Sequence, residues 1–297
     1  MKFRTEYTAS AAPFALDPSK PVVLTGSCFS QNMAQKMNDH LWTALNPLGT
    51  LYNPFSIGKA LELMLMPSQK ADSEFKDSLF FFNGIWNSEL FDSSFSSRQQ
   101  EDCLKEFRHT RQVFIDNLQS GEALIVTFGT AICYFTSEKE WPVGNCHKQP
   151  AKLFTRRRLS TTEIVSYWQH LIEKLLDRIP NLKIIFTVSP VRHLKDGFTG
   201  NACSKATLQL AVEEICNKFP SCHYFPAFEI LTDDLRDYRF YASDLVHPSE
   251  EAIEYLWMTF LDTFIDAEGK ELLERGARIM KARMHRPKTG ALGLPLS

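Results

Sequence analysis

Residues 21–30 read PVVLTGSCFS. The apolar run 21–25 is typical of a buried strand, and the small residues after it predict a sharp turn into a helix. Open α/β sheets place reactive groups at such strand-to-helix turns. This turn carries two adjacent candidate nucleophiles, Ser27 and Cys28.

Outward from this turn, strand-like apolar runs alternate with helix-length amphipathic runs, a pattern typical of a parallel sheet covered on both faces. The predicted strands are 22–25, 42–45, 123–128, 184–188 and 223–225. The predicted helices are 30–41, 57–66, 161–178, 205–217, 249–265 and 268–283. These elements predict a three-layer α/β/α sandwich, with one domain over residues 1–266 and a C-terminal helix and tail over 267–297. The tail after Pro287 is predicted to be unstructured.

One segment interrupts the alternation. Residues 67–121, between the second and third predicted strands, are far longer than the usual connection in such folds. Within them, aromatic runs flank Asn83-Gly84, which is a strong hairpin signal. The sequence therefore predicts an insertion that contains a hairpin, and that either covers an exposed sheet edge or walls a substrate pocket.

Composition excludes several classes of function. A net charge of −2 over 297 residues indicates no basic surface for nucleic acid or anionic lipid. No stretch approaches the roughly 20 apolar residues of a membrane span, and residues 1–20 lack the apolar core of a signal peptide. The seven cysteines are scattered without a Cys-x-x-Cys pair, so neither a disulfide framework nor a structural zinc site is expected. A cytoplasmic protein without nucleic-acid or membrane partners is predicted.

A second chemical signal is DLVHP at residues 244–248, between the last predicted strand and a long helix. An Asp three residues before a His can accept a hydrogen bond from one imidazole nitrogen while the other nitrogen faces a nucleophile. Asp244 and His247 are therefore candidates for the orienting carboxylate and the general base of a triad. The alternative is an aspartate that caps a turn beside a surface histidine.

Several longer strings resemble a known family. They are GSCFS (26–30), NPLGTLYNP (46–54), FGTA (128–131), NCHK (145–148), SPVRH (189–193), DYRFY (237–241) and HP (247–248). Together they resemble the bacterial GSCFA domain over about residues 3–266. That family is placed with the SGNH (GDSL-like) esterases and lipases. The resemblance implies a flavodoxin-like SGNH hydrolase fold, a covalent acyl-enzyme, no cofactor, and a small-molecule or carbohydrate acyl ester as substrate.

The resemblance also assigns a nucleophile. SGNH enzymes leave the first strand through Gly-Asp-Ser, whereas this chain reads Gly26-Ser27-Cys28, so the register puts Cys28 in the nucleophile position. Ser27 stays an alternative because a shift of one residue in the turn would exchange the two side chains. A third possibility is that Ser27 caps the helix and Cys28 packs beneath it.

The oxyanion hole departs from the SGNH pattern. Gly49 fits the glycine whose amide contributes one donor, but the Gly-x-Asn string is here Gly129-Thr130-Ala131. Alanine cannot donate, and one missing donor costs roughly 3 kcal/mol of transition-state stabilisation. Thr130, Asn53 and Asn145 are candidate replacements.

Three further residues are candidates for substrate contacts. His147 either holds a substrate oxygen or bonds to backbone. Arg192 and His193 follow the fourth predicted strand, and Arg192 either grips a carboxylate or phosphate of the substrate or pairs with the acidic loop 233–237. A metal held by cysteine, histidine and aspartate above the sheet is a minor hypothesis, drawn from Cys28, His147, His193, Asp244 and His247.

Three functional classes follow from these residues. The first is an esterase-like hydrolase, and the second is an acyltransferase that passes the same acyl group to a hydroxyl. The third is a binding module without catalysis, for which Ala131 is the main argument.

Overall fold

The computed structural model describes residues 5–136 and 141–284, so the predicted unstructured tail lies outside it. In chain order the elements are β1 (Val22–Gly26), α1 (Cys28–Asp39), β2 (Ala44–Leu45), α2 (Pro54–Leu65), α3 (Ser68–Asp77), β3 (Leu79–Phe82), β4 (Ile85–Ser88), α4 (Gln100–Ser120), β5 (Ala123–Phe128), β6 (Ile132–Thr136), β7 (Phe154–Arg158), α5 (Thr161–Arg178), β8 (Lys183–Val188), α6 (Gly197–Lys218), β9 (Cys222–Phe225), α7 (Ala227–Glu229), α8 (Glu250–Phe264) and α9 (Ala267–Met284). Across these residues, no helix combines the length and the apolar character needed to cross a bilayer.

The central sheet is parallel throughout and has the strand order β2-β1-β5-β8-β9. This is the order of a flavodoxin-like doubly wound sheet, in which the chain leaves β1 toward one side and later returns on the other. The predicted α/β/α fold is therefore confirmed. Loops that follow β1 and β5 meet at the switch point, where such folds bind their ligands.

Helices cover both faces of the sheet. Val23, Val126 and Phe186 belong to a buried cluster with α2, α4, α5 and α6. Leu24 and Ile125 point the other way, into a cluster with α1 and α8 that also takes in Leu273 of α9. Strands buried on both faces explain why these segments read as continuous apolar runs.

Capping residues set the start of several helices. Ser160 and Glu163 form a reciprocal capping box at α5, and Ser249 caps α8 by accepting a hydrogen bond from an amide of its first turn. The helix predicted from residue 205 begins earlier, at Gly197. Glycines at 197 and 200 hide its first turn from propensity-based prediction, because glycine disfavours helix.

The insertion consists of α3, the β3–β4 hairpin and α4. Asn83 and Gly84 both have positive φ, 53° and 81°, as a two-residue type I′ turn requires. Aromatic side chains of the insertion pack together, and the ring centroids of Phe75 and Phe107 are stacked 4.3 Å apart. The predicted hairpin is confirmed, and α4 packs against the sheet beside β1.

A second hairpin has no counterpart in the sequence prediction. Strands β6 and β7 pair antiparallel after β5, in a region for which the sequence predicts neither a strand nor a helix. Residues 154–158 read FTRRR, which lacks the regular apolar alternation of a half-buried strand. This hairpin stands at the carboxyl end of the sheet, where it walls the site described below.

Replacing Gly26 tests the tightest point of this fold. Gly26 has φ +130°, and a Cβ there would stand 2.1 Å from the carbonyl oxygen of Thr127 on β5. Gly26→Ala is expected to lower the free energy of unfolding by about 3–5 kcal/mol, from backbone strain plus overpacking, measured by urea denaturation.

Gly84→Ala is the matched control for that measurement. Gly84 also has positive φ, +81°, but nothing lies within 4 Å of a Cβ placed there. Its expected cost is only the left-handed backbone penalty of about 1–2 kcal/mol. Equal losses in the two variants would contradict the steric argument for Gly26.

Candidate active site

The turn after β1 separates the two candidate nucleophiles. The Ser27 amide donates to the Thr127 carbonyl at 3.2 Å, and the Ser27 hydroxyl accepts a hydrogen bond from the Phe29 amide at 3.4 Å. Only 1% of Ser27 is exposed. Cys28 is the first residue of α1 and is partly exposed. Ser27 therefore caps the helix from inside the fold, whereas Cys28 faces outward.

Cys28 lines a cavity of about 600 Å³ at the carboxyl end of the sheet. The walls come from loops after the strands and from the β6–β7 hairpin, and residues 67–121 contribute none of the lining. The insertion thus covers the sheet instead of walling this cavity. The predicted site residues that line it are Cys28, Asn53, Thr130, Asn145, Arg192, His193 and His247.

Asp244 orients His247 from behind. The His247 Nδ1 and the Asp244 Oδ2 lie 2.6 Å apart, and the Asp244 Oδ1 accepts the amides of Val246 and His247 at 2.9 and 3.0 Å. Leu245 makes this tight loop possible with a φ of 60°. These backbone hydrogen bonds, with the imidazole contact, lower the pKa of Asp244 to about 2, so the carboxylate is ionised at neutral pH.

The Cys28 thiol is protonated in the resting site. Burial raises its pKa, and the amides of Cys28 and Phe29 at the helix N-terminus, together with Lys205, oppose that shift only in part. No hydrogen bond joins Cys28 to His247 in this structure, although both line the cavity. Activation of the thiol therefore needs a base that acts as substrate binds.

Lys205 of α6 lies buried beneath the site, 1% exposed. Its Nζ donates to the carbonyl oxygens of Gly129 and Ser189, both at 2.6 Å, and burial lowers its pKa to about 7. These two carbonyls follow β5 and β8, so one side chain ties the ends of two neighbouring strands. Sequence reasoning missed Lys205 because a single lysine in an amphipathic helix carries no signal of burial.

Three of the proposed oxyanion donors depart from the expected arrangement, since Asn53 and Thr130 make hydrogen bonds within the protein and Gly49 lies outside the cavity lining. Gly49 is not part of the cavity lining and lies against the Asp92 carboxylate. Asn53 caps α2, with its Oδ1 accepting the Ser56 amide at 2.9 Å and its Nδ2 donating to the Ser56 hydroxyl. The Thr130 hydroxyl lies 3.0 Å from that of Ser204 and accepts the Ile132 amide.

Of the candidate replacements, Asn145 is the one whose side chain donates no hydrogen bond to a described residue. Its Oδ1 accepts the His147 amide at 2.8 Å, and its Nδ2 has no partner within the described part of the chain. Ala131, which the sequence resemblance aligned with the SGNH asparagine, is fully buried, and its amide donates to the Ser204 hydroxyl at 2.7 Å. The Ala131 amide is thus directed into the core and is not available to the cavity.

The two histidines of the remaining motifs have different surroundings. His147 lies outside the cavity lining, with its Nε2 at 2.8 and 3.0 Å from the carbonyl oxygens of Ser88 and Phe91 in the insertion. His193 lines the cavity edge-on to Tyr52, and its Nε2 is buried without a partner. Burial, reinforced by Lys205, lowers the pKa of His193 to about 4, so its ring is neutral at pH 7.

No group of three or more His, Cys, Asp or Glu side chains is placed to hold a metal ion anywhere in residues 5–136 and 141–284. His147 in particular bonds to backbone of the insertion, away from the other residues of that hypothesis.

The family is decided by sequence comparison. The model of the GSCFA family matches residues 21–260, most of the chain. This protein belongs to the GSCFA family. No match was found among curated proteins.

Solved structures similar to this GSCFA chain include several esterases. A family two carbohydrate esterase from Clostridium thermocellum, in complex with cellohexaose, is 10% identical, with 90% of this chain and 66% of that chain covered and a TM-score of 0.40. A GDSL-like lipase from Bacteroides thetaiotaomicron is 11% identical, with 86% and 88% covered and a TM-score of 0.35. A carbohydrate esterase family 3 structure from Talaromyces cellulolyticus is 7% identical, with 89% and 99% covered and a TM-score of 0.34. These TM-scores lie below 0.5, and the function of this chain is therefore inferred from its own residues.

Several lining residues of the GSCFA cavity were not among the predicted site residues. Tyr52 lies within the NPLGTLYNP string, which marked the segment but not this side chain. Tyr134 and Arg156 come from the unpredicted β6–β7 hairpin, and Lys195 follows the SPVRH string. Tyr134 and Arg156 reach the site only because β6 pairs with β7.

The raised pKa of Cys28 predicts how its alkylation depends on pH. Because burial favours the thiol, iodoacetamide labelling of Cys28 should be slow at pH 7. Its rate should rise about tenfold per pH unit up to a midpoint above that of a short unstructured cysteine peptide, whose ordinary pKa is about 8.5. Peptide mass spectrometry would follow Cys28 separately from the other thiols. A midpoint below that of the peptide would contradict a resting thiol.

Proposed function

We propose that this GSCFA protein is an SGNH-type ester hydrolase that forms a covalent acyl-enzyme on Cys28. The observation that carries the proposal is that Cys28, at the N-terminus of α1, shares one cavity with His247, whose other ring nitrogen is held by Asp244. Nucleophile, base and orienting carboxylate are the parts that acyl transfer requires. Ser27 is buried and engaged as a helix cap, which supports Cys28 as the nucleophile.

The first half-reaction acylates Cys28. His247 takes the thiol proton at Nε2 while Sγ attacks the carbonyl carbon of the ester, and the carbonyl π electrons move to oxygen. Asp244 stabilises the imidazolium through Nδ1. The tetrahedral intermediate then collapses, and the alcohol oxygen leaves with the proton from His247, so that a thioester stays on Cys28.

Two groups are the proposed donors to the oxyanion. The amide of Cys28, as the first residue of a 12-residue helix, has no intrahelical acceptor, and the helix dipole there favours negative charge. The second donor is the free Nδ2 of Asn145, which lines the same cavity. We assign Asn145 the task that the SGNH asparagine performs, since the side chain of Ala131 has no donor and its amide is bonded to Ser204.

The second half-reaction decides between hydrolysis and transfer. In the hydrolase, water gives a proton to His247 and attacks the thioester, which releases the acid and restores the thiol. An acyltransferase would admit a hydroxyl acceptor at the same step. A thiol nucleophile exchanges acyl groups with thioester donors, and this chemistry favours the transferase as second candidate. A thiol catalyst also suits a reducing compartment such as the cytoplasm, and an O-acylated carbohydrate remains the proposed substrate class.

Hydrolysis of 4-nitrophenyl acetate, with acetyl-coenzyme A as a second donor, tests this function. Cys28→Ala should lower kcat/KM at least about 10³-fold, and His247→Ala by a similar factor, because nucleophile and base act as a unit. Mass spectrometry of the wild type quenched during turnover should find the acyl group on the Cys28 peptide.

Two variants are matched controls for that assay. Cys146→Ala removes the other cavity-lining thiol and should leave kcat/KM within about threefold, as should Ser27→Ala, whose cost is the helix cap and falls on stability. Loss of activity in Ser27→Ala with activity kept in Cys28→Ala would overturn the choice of nucleophile. An inert wild type toward varied esters and thioesters would identify a binding module instead.

Asn145 offers a sharper test of the oxyanion hole. Asn145→Asp keeps the Oδ1 that accepts the His147 amide but cannot donate, so it should lower kcat about 10²-fold with little change in KM. Asn145→Ala should lose activity equally and some stability as well. Unfolding curves of both variants separate the two effects, and an Asn145→Asp enzyme of full activity would refute the assignment.

A further inference from the structure

The cavity that holds Cys28 and His247 has an excess of positive charge. Its lining includes the cations Lys148, Arg156, Arg192 and Lys195, and Asp196 is the carboxylate among the lining residues. The chain as a whole carries a net charge of −2. Positive side chains are thus concentrated at the cavity although the chain as a whole carries a net negative charge.

Arg192 is the best-held of these cations. Its guanidinium carbon lies 4.2 Å from the ring centroid of Tyr241 and 5.3 Å from that of Tyr238, and its amide donates to the Val246 carbonyl at 3.2 Å. Val246 adjoins His247, so the backbone of Arg192 is fastened beside the proposed base. A guanidinium stacked on aromatic faces keeps its in-plane N–H donors available for a planar anion.

Among the residues that the structure describes, Arg192 has no carboxylate partner. No aspartate or glutamate oxygen of those residues lies within 4.0 Å of its guanidinium, so the predicted alternative, an ion pair with the acidic loop 233–237, is not formed. Asp244 follows this loop in the sequence but does not line the cavity, and its carboxylate accepts hydrogen bonds from His247 and Val246. A partly buried, preorganised guanidinium without an anion is suited to bind one from solution.

The other cations stand in a different arrangement. Arg156 is paired with Asp196, and both Arg156 and Lys195 lie over the Tyr134 ring. The Lys195 Nζ also donates to the Tyr134 hydroxyl at 2.8 Å. This group supplies positive potential from one ion pair and one additional lysine. Arg192 shares a side-chain hydrogen bond with Tyr241 and keeps its other guanidinium donors without a carboxylate partner among the described residues.

We propose that the site acts on acyl esters that carry an anionic oxygen group, a carboxylate or a phosphate, and that Arg192 anchors this group. The inference rests on the proposed function and narrows its substrate class. It requires that removing the positive charge of Arg192 weakens recognition of anionic esters and leaves the chemistry on neutral esters in place.

Alkylation of Cys28 tests the charge of the cavity without any need for ester turnover. The rate with anionic iodoacetate is divided by the rate with neutral iodoacetamide at one pH, so that the thiolate fraction cancels. This ratio is then divided by the same ratio measured for 2-mercaptoethanol, which gives a normalised ratio. The normalised ratio should be about ten in the wild type, because a positive cavity concentrates anions, and it should fall with added salt. It should drop toward one in Arg192→Met.

Arg157→Met is the matched control for Arg192→Met. Arg157 lies on the same hairpin as Arg156, pairs with Glu163 and stacks on Phe135, and does not line the cavity. The Arg157→Met variant loses the same charge as Arg192→Met, but at a site outside the cavity. The alkylation ratio of Arg157→Met should therefore equal that of the wild type. A wild-type ratio at or below one, or an equal drop in both variants, would overturn the proposal.

Two matched ester pairs then locate the anion on the substrate. A carboxylate on the acyl side is tested with the 4-nitrophenyl monoester of adipic acid against its neutral methyl ester, and one on the alcohol side with 4-acetoxybenzoate against its methyl ester. Arg192→Met should lower kcat/KM for the preferred anionic ester about 10- to 100-fold, the usual worth of hydrogen bonds to a charged group, and change the neutral one less than threefold.

The two proposals fail in different ways in these experiments. Equal kcat/KM for anionic and neutral esters would overturn the anionic substrate class while ester hydrolysis stands. An enzyme inert to all four esters would count against the hydrolase, and the alkylation ratio would still decide whether the cavity selects anions.

Discussion

The site depends on how closely β1 approaches β5 at Gly26. Only a hydrogen fits between the Gly26 Cα and the Thr127 carbonyl, and this contact lets the chain turn directly from the end of β1 into α1. The carbonyl of Gly26 also accepts the Leu51 amide at 2.9 Å, so the loop after β2 is drawn to the same point. Because the turn is so short, Ser27 is forced inward as the helix cap and Cys28 becomes the residue that opens on the cavity.

Hydrogen bonds between loops hold the other groups around Cys28. The Tyr52 carbonyl accepts the amides of Gly129 and Thr130 at 2.7 and 3.0 Å, which joins the loops after β2 and β5. Lys205 joins the ends of β5 and β8 through two carbonyls, and Arg192 joins the loop after β8 to the Asp244–His247 segment. Each loop of the site is thus positioned by a neighbour, an arrangement that holds catalytic groups more rigidly than independent loops would.

Much of the architecture follows from local pattern. Apolar runs of strand length, the Ser160–Glu163 capping box and the Asn83-Gly84 turn each depend on a few adjacent residues, and each occurs in the structure where the pattern places it. The β6–β7 hairpin and the early start of α6 were not predicted. In both, tertiary pairing and packing override weak local propensity, with arginines in a strand and glycines in the first turn of a helix.

The sequence by itself determined the α/β/α fold, the family, and which residues are candidates for chemistry, because periodicity, turn residues and motif strings are local properties. Tertiary structure alone decided which candidates meet. It buried Ser27 and exposed Cys28 to the cavity, directed Ala131 into the core and turned His147 toward the insertion. It also brought Asn145 and Arg192 to the cavity lining. These outcomes depend on the direction of each side chain and on contacts between residues far apart in the chain, neither of which is encoded by spacing.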